Sequence, residues 1–165
     1  MDARSLRLRD ATREDVPAIL QLIRALAEYE KEPKAAVATA DDLLRDGFGE
    51  RPLFRVVMAE WDGQAVGFAF YFFNYSTWQG RPGLYLEDLF VRPPHRGQGI
   101  GKALLVHLAG IALRENCGRF VWQVLDWNEP ALQFYESLGA RVMKEWLTMR
   151  VDGEALRKLE AHLKD

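Results

Sequence analysis

Apolar positions along the chain repeat at either two or about 3.6 residues, and the switches between the two periods mark predicted strands and helices. Residues 5–9 alternate and predict a first strand, after which Thr12 and Asp15 form a helix start signal. Val16, Ile19, Leu20, Ile23 and Leu26 recur at helical spacing, and this helix ends in the charged run EYEKEPK at Pro33. Thr39 with Asp42 repeats the start signal before a short helix through Leu43 and Leu44, closed by Gly47. Residues 54–61 and 65–75 read as antiparallel strands joined by the Asp62-Gly63 turn.

Residues 84–91 predict a fourth strand, apolar on both faces except at Glu87 and Asp88. A glycine loop leads from it into a helix over 98–115 that turns Ile100, Leu104, Leu108 and Ile111 inward. A fifth strand follows at 120–126, then a helix capped by Asn128, with Pro130 in its first turn and Gly139 just past its end. Residues 142–151 predict a sixth strand and 154–162 a terminal helix. Hairpins interleaved with two crossover helices imply an α/β fold, a mixed and largely antiparallel central sheet with helices on both faces. With no repeat, linker or low-complexity segment, residues 1–165 read as a single domain.

Composition narrows the function classes. A hydrophobic share of 48% supports an ordinary core, and a net charge of -2 gives no basic stripe for nucleic acid or an anionic membrane. A cationic or neutral partner suits that balance better. No run reaches the roughly 18 apolar residues of a membrane span, the start MDARSLRLRD lacks the apolar core of a secretory signal, and Cys117 is the single cysteine. Together these predict a cytoplasmic protein without a disulfide framework. His95, His107 and His162 lack metal-ligand spacing, so no metal is expected.

The loop RGQGIGK carries the first chemistry. Glycines opening a helix leave backbone N–H groups and the positive dipole end free for an anion. Gly97, Gly99 and Gly101 do not fit GxGxxG, because Lys102 stands at the third glycine position. Nor do they fit GxxxxGK[ST], with Arg96 at its first position and Ala103 after the lysine. What remains is Arg-x-x-Gly-x-Gly after a strand and a Pro-bearing turn, which resembles the acetyl-CoA pyrophosphate loop of the GCN5-related N-acetyltransferases. The blocks LAEYEKE, DLLRDGFGE, VGFAFYFFNYSTW, LYLEDLFV and WNEPALQFYESLGA extend the likeness over most of the chain, toward the diamine (spermidine/spermine) acetyltransferase branch.

The resemblance implies the acyl-CoA N-acyltransferase fold and a dimeric enzyme, here a homodimer, moving acetyl from acetyl-CoA to a primary amine of a small polyamine-like substrate. It implies Glu87 and Tyr135 as the active-site pair. It implies cofactor contacts from Leu89, Phe90 and Val91, from Arg96, Gly97, Gln98, Gly99, Ile100, Gly101 and Lys102, and from Asn128. Eukaryotic members have an insertion where this chain has the tight WDGQ turn, and an aspartate-proline where it has Ser76-Thr77. Another amine, such as a lysine analogue, an antibiotic amine or a protein N-terminus, is the alternative acceptor. A catalytically silent CoA-binding module is the alternative class.

The residues fit that chemistry. An alkylammonium with a pKa of about 10.4 must lose a proton before it attacks a thioester. Glu87, in an otherwise apolar strand, is placed to serve as base or counter-ion, while Asp88 points to the opposite face and reads as structural. Tyr135 can return a proton to the leaving thiolate, or pack as a core tyrosine beside Leu132 and Leu138. Backbone amides released by a strand splay near 89–91 would receive the oxyanion. Cys117 reads as a buried hydrophobe, which favours direct attack over an acetyl-cysteine. Tyr29, Glu30 and Trp78 offer aromatic faces and a carboxylate to a cationic acceptor, or else form a solvated run and a core cover.

Overall fold

The structure, a computed structural model, describes residues 5–162 and divides into two compact units, one up to Gln123 and one from Val124 onward. In the first unit β1 (Leu6–Asp10), β2 (Arg55–Trp61), β3 (Gln64–Ser76), β4 (Arg81–Val91) and β5 (Arg119–Trp122) form one sheet in the order β1-β2-β3-β4-β5. The first four are antiparallel neighbours and β5 lies parallel to β4. Asp62 and Gly63 both take left-handed φ (51° and 81°), which gives the tight β2–β3 turn the twist its strands need. The parallel pair requires a crossover, supplied by α3 (Ile100–Arg114). The mixed, mostly antiparallel sheet with helices is therefore the α/β architecture expected.

Helices α1 (Val16–Tyr29) and α2 (Ala40–Gly47) sit on one face. Val16, Ile19, Leu22 and Leu26 of α1 and Leu43 of α2 bury against Val56, Met58, Phe68 and Phe90. Each large aliphatic removed from water there contributes roughly 1.5–3 kcal/mol. The intervening strand residues Val57 and Ala59 point the other way and are fully buried. On α3, which touches all five strands, Ile100, Leu104, Leu105 and Leu108 are buried. A capping box starts α2: the Thr39 hydroxyl accepts from the Asp42 amide (3.2 Å) and the Asp42 carboxylate from the Thr39 amide (2.8 Å). Arg9 on β1 ties the approach to α1 to the sheet through ion pairs with Asp15 (2.7 Å) and Glu60 (2.6 Å).

Three boundaries differ from expectation. The third helix starts at Ile100 rather than 98, because Gly97 and Gly99 adopt left-handed φ (77° and 81°) and cannot belong to it. Strand β5 spans four residues, ending at Trp122. Residues 140–152 contain no strand, so the expected sixth strand at 142–151 is absent from the described residues. A hydrophobic alternation becomes a strand only where a second backbone supplies the ladder. The second unit contains α4 (Glu129–Ser137) and α5 (Gly153–Ala161). Asn128 caps α4 by accepting from the Ala131 amide (3.4 Å), and Gly139 follows with a left-handed φ of 97°.

Candidate active site

Strand β4 carries two adjacent carboxylates, and a bulge decides where they go. Asp88 pairs with Phe70 and Leu86 with Tyr71, so Glu87 is an extra residue without a cross-strand partner on β3. In an unbroken strand Glu87 and Asp88 would face opposite sides of the sheet. Here both line one cavity of about 550 Å³ whose walls include Ile23, Leu43, Phe54, Phe70 and Phe72. This corrects the expectation for the pair. Glu87 is exposed, whereas Asp88 is half-buried, and burial, then the charges of Glu87 and Glu30, push its carboxyl up to about 7. The group the sequence assigned to structure thus has the environment of a neutral-pH base.

Beyond the acid pair the sheet opens. β5 pairs with β4 only from Gly83 to Leu86, and β4 runs on to Val91. The Arg92 amide donates to the Val66 carbonyl (2.8 Å), so by alternation the amides of Leu89 and Val91 face away from β3, toward the open edge. These two amides lie within the 89–91 stretch where the sequence predicts backbone donors.

The glycine loop follows directly. A turn at Pro93–His95 leads to Gly97 and Gly99, and a Cβ built on either would meet nothing within 4 Å. Both glycines are required by backbone conformation, and the space beside them is an open cradle. Among the described residues the amides of 97–102 find no backbone acceptor, while the Ala103 amide begins the helical ladder on the Gly99 carbonyl (2.9 Å). An anionic pyrophosphate fits such a run of unpaired donors at the start of a fifteen-residue helix.

Arg96 projects from this loop toward α1. Its Nε donates to the Val91 carbonyl (2.9 Å), and its guanidinium carbon lies 4.6 Å from the Tyr29 ring centroid and 5.3 Å from that of Phe90. Tyr29 is the last residue of α1, which ends in a Schellman motif without glycine: Lys31 takes a left-handed φ of 65°, its amide bonds Glu28 (3.1 Å), and the Glu32 amide reaches Ala27 (2.9 Å). Glu30, between them, has its carboxyl raised by burial and is close enough to raise Asp88 in turn. Trp78 does not join this group. It stands in the β3–β4 turn, 91% exposed and outside the cavity lining, because β3 and β4 carry that turn to the far end of the hairpin.

In the second unit Tyr135 lies half-buried on α4, its ring 5.5 Å from that of Phe134, and Asn128 opens the same helix. Cys117 is buried and burial raises its thiol pKa, an environment that suppresses thiolate chemistry. Among the described residues no three His, Cys, Asp or Glu side chains form a metal-binding group. No helix among them is long and apolar enough to cross a membrane.

Residues 16–140 match the acetyltransferase (GNAT) family. Thialysine N-epsilon-acetyltransferase of Mus musculus is 42% identical over 166 residues, covering 94% of this chain and 97% of that protein. Spermidine/spermine N(1)-acetyltransferase-like protein 1 of Homo sapiens is 40% identical over 90% of this chain, which corresponds to 23% of the longer human protein. Among solved structures, an integron cassette protein from the mobile metagenome of V. cholerae superposes with a TM-score of 0.81 at 30% identity, over 96% of this chain and 99% of that one.

Proposed function

The chain belongs to the acetyltransferase (GNAT) family, in its diamine acetyltransferase branch, and on that premise we propose that Asp88, Glu87 and Tyr135 serve acetyl transfer to an amine held in the acid-floored cavity. It is an amine N-acetyltransferase, and acetyl-CoA, the family's cosubstrate, supplies the acetyl group as an activated thioester.

The donor is held by the amides of 97–102, with Arg96 and Lys102 adding positive charge, and along the open edge of β4 by Leu89, Phe90 and Val91. Asn128 is the contact contributed from α4. Glu87 meets the incoming ammonium as counter-ion, and Asp88 accepts its proton. The amine nitrogen then attacks the acetyl carbon, a C–N bond forms and the C–S bond breaks. Charge growing on the acetyl oxygen is met by the amides of Leu89 and Val91. The departing thiolate takes the Tyr135 proton, and the phenolate left behind takes the surplus proton of the acylated nitrogen, so that amide, thiol and neutral tyrosine result and the first proton leaves Asp88 for solvent.

The observation that carries this reading is the bulge that sets Glu87 and Asp88 side by side at an otherwise apolar cavity. Its walls offer methylene groups a surface, and Glu30 supplies a further carboxylate near Asp88. A small diamine meets all three features. A lysine-type acceptor is the second reading, favoured by the name of the mouse relative, and it would bring a carboxylate toward a lining that contains no cation. Thiol release with 1,4-diaminobutane against lysine separates them: higher kcat/KM for the diamine is expected, and the reverse order would move the assignment to amino acids.

The proposal extends to one acetyltransferase domain over residues 1–165, acting in the cytoplasm as a homodimer. Trp146, Leu147 and Met149 in the second unit are 67%, 84% and 89% exposed, a concentration of apolar surface that supports self-association. Light scattering that reports a monomer at micromolar concentration would overturn the dimer.

A further inference from the structure

Arg96 is a loop residue whose side chain touches both β4 and the end of α1. On one side it belongs to the glycine loop, and its Nε is fixed to the Val91 carbonyl at the open edge of β4 (2.9 Å). On the other its guanidinium lies over the ring of Tyr29, which ends α1 immediately before Glu30. Among the described residues its two terminal nitrogens make no hydrogen bond, so they remain free to meet an anion. Buried Phe90 is a second aromatic neighbour, its ring centroid 5.3 Å from the guanidinium carbon.

We infer that Tyr29 is a positioning residue, through which occupancy of the pyrophosphate loop is transmitted to the end of α1 and thus to Glu30 at the amine site. The inference rests on the loop assignment proposed above, and needs no particular acceptor. Arg96 is tethered at Nε but not at its terminal nitrogens, so an anion bound there removes the guanidinium's remaining freedom and holds its plane over Tyr29. The ring sits two residues before a left-handed turn at Lys31, a conformation an L side chain adopts only at a cost. Three amides report the integrity of that turn: Glu30 bonded to Leu26, Lys31 to Glu28 and Glu32 to Ala27. A helix end of this kind frays readily, so a contact that appears or tightens on cofactor binding shifts its opening equilibrium. By linkage, whatever cofactor binding does for this turn, an amine that needs Glu30 in place does for cofactor binding.

The test is amide hydrogen exchange on the full chain with CoA as the only ligand. CoA should slow exchange at 97–102 directly, and at the amides of Glu30, Lys31 and Glu32 by at least about threefold, the range of a single cation–π contact. Tyr29→Leu should abolish the second effect while the first persists and the CoA dissociation constant stays within about threefold of wild type. Tyr29→Phe, which keeps the ring face without the hydroxyl, should restore it. A merely structural tyrosine would loosen the turn equally with and without CoA. The inference is overturned if 97–102 is protected while Glu30 to Glu32 is unaffected, or if Tyr29→Leu retains the distant protection. Absence of protection at 97–102 itself would instead remove the loop assignment, and with it this inference.

Discussion

At Asp88 a carboxyl is kept in the fold at the expense of stability. Its folded pKa is raised from an ordinary value of 3.8 to about 7, so the folded state binds its proton more tightly than the unfolded chain. Stability from this group is therefore full below about pH 4 and is lost as pH rises through 7, the opposite of a salt-bridged carboxylate. Asp88→Asn should raise stability at pH 8 by roughly 1–2 kcal/mol, a figure discounted for partial solvent access, and change it far less at pH 4. The same substitution should lower kcat by roughly 10²–10⁴ and flatten the rise of kcat/KM through neutral pH. Melting curves at the two pH values and a pH–rate profile check both parts, and a variant that is neither more stable nor slower would return Asp88 to a structural role. Tyr135→Phe provides the complementary test: a comparable loss in kcat with CoA affinity retained identifies the acid, and an unchanged rate identifies a packing residue.

Elements differ in how openly the sequence announces them. The glycine loop was legible because its conformation demands residue types: Gly97 and Gly99 hold φ values that other residues rarely adopt, so their spacing could be read directly. Gly99→Val tests that reading. Its Cβ would strike no protein atom, so the domain should remain folded, destabilised by about 1–2 kcal/mol through the left-handed φ. Affinity for CoA should nevertheless collapse, since the side chain enters the cradle, and normal CoA binding would refute the loop assignment. The bulge at Glu87 was not legible, because it is a property of the register between β3 and β4 and no glycine marks it. The alternation of LYLEDLFV therefore sent Asp88 to the wrong face. The end of α1 was similarly concealed, with Lys31 taking the left-handed position that glycine commonly fills. The expected strand at 142–151 had the right pattern, but pattern cannot supply a partner backbone.

For the molecule as a whole, charge is arranged by place rather than by sum. The chain has 24 acidic and 22 basic side chains, so its net charge of -2 exerts little long-range pull on a cation. Local arrangement matters more: Glu87 and Glu30 both raise the Asp88 carboxyl, whereas Arg96 precedes and Lys102 follows the glycines proposed to receive the anionic cofactor. Under the proposed assignment, opposite charges meet the two substrates at neighbouring parts of β4 and the loop after it. Two consequences of salt follow from their different depth. Glu87 is exposed and its attraction for the incoming ammonium is screened over a Debye length of about 10 Å at 0.1 M salt, as is that of Glu30 for the second ammonium of a diamine, while half-buried Asp88 is shielded from counter-ions. Raising ionic strength from about 0.02 to 0.5 M should therefore increase KM several-fold for 1,4-diaminobutane, less for butylamine, and leave kcat nearly unchanged. Steady-state kinetics for the two amines at saturating acetyl-CoA decide it. Equal salt dependence for monoamine and diamine would mean that the acids beyond the first do not touch the acceptor, and would reduce their role to tuning the base.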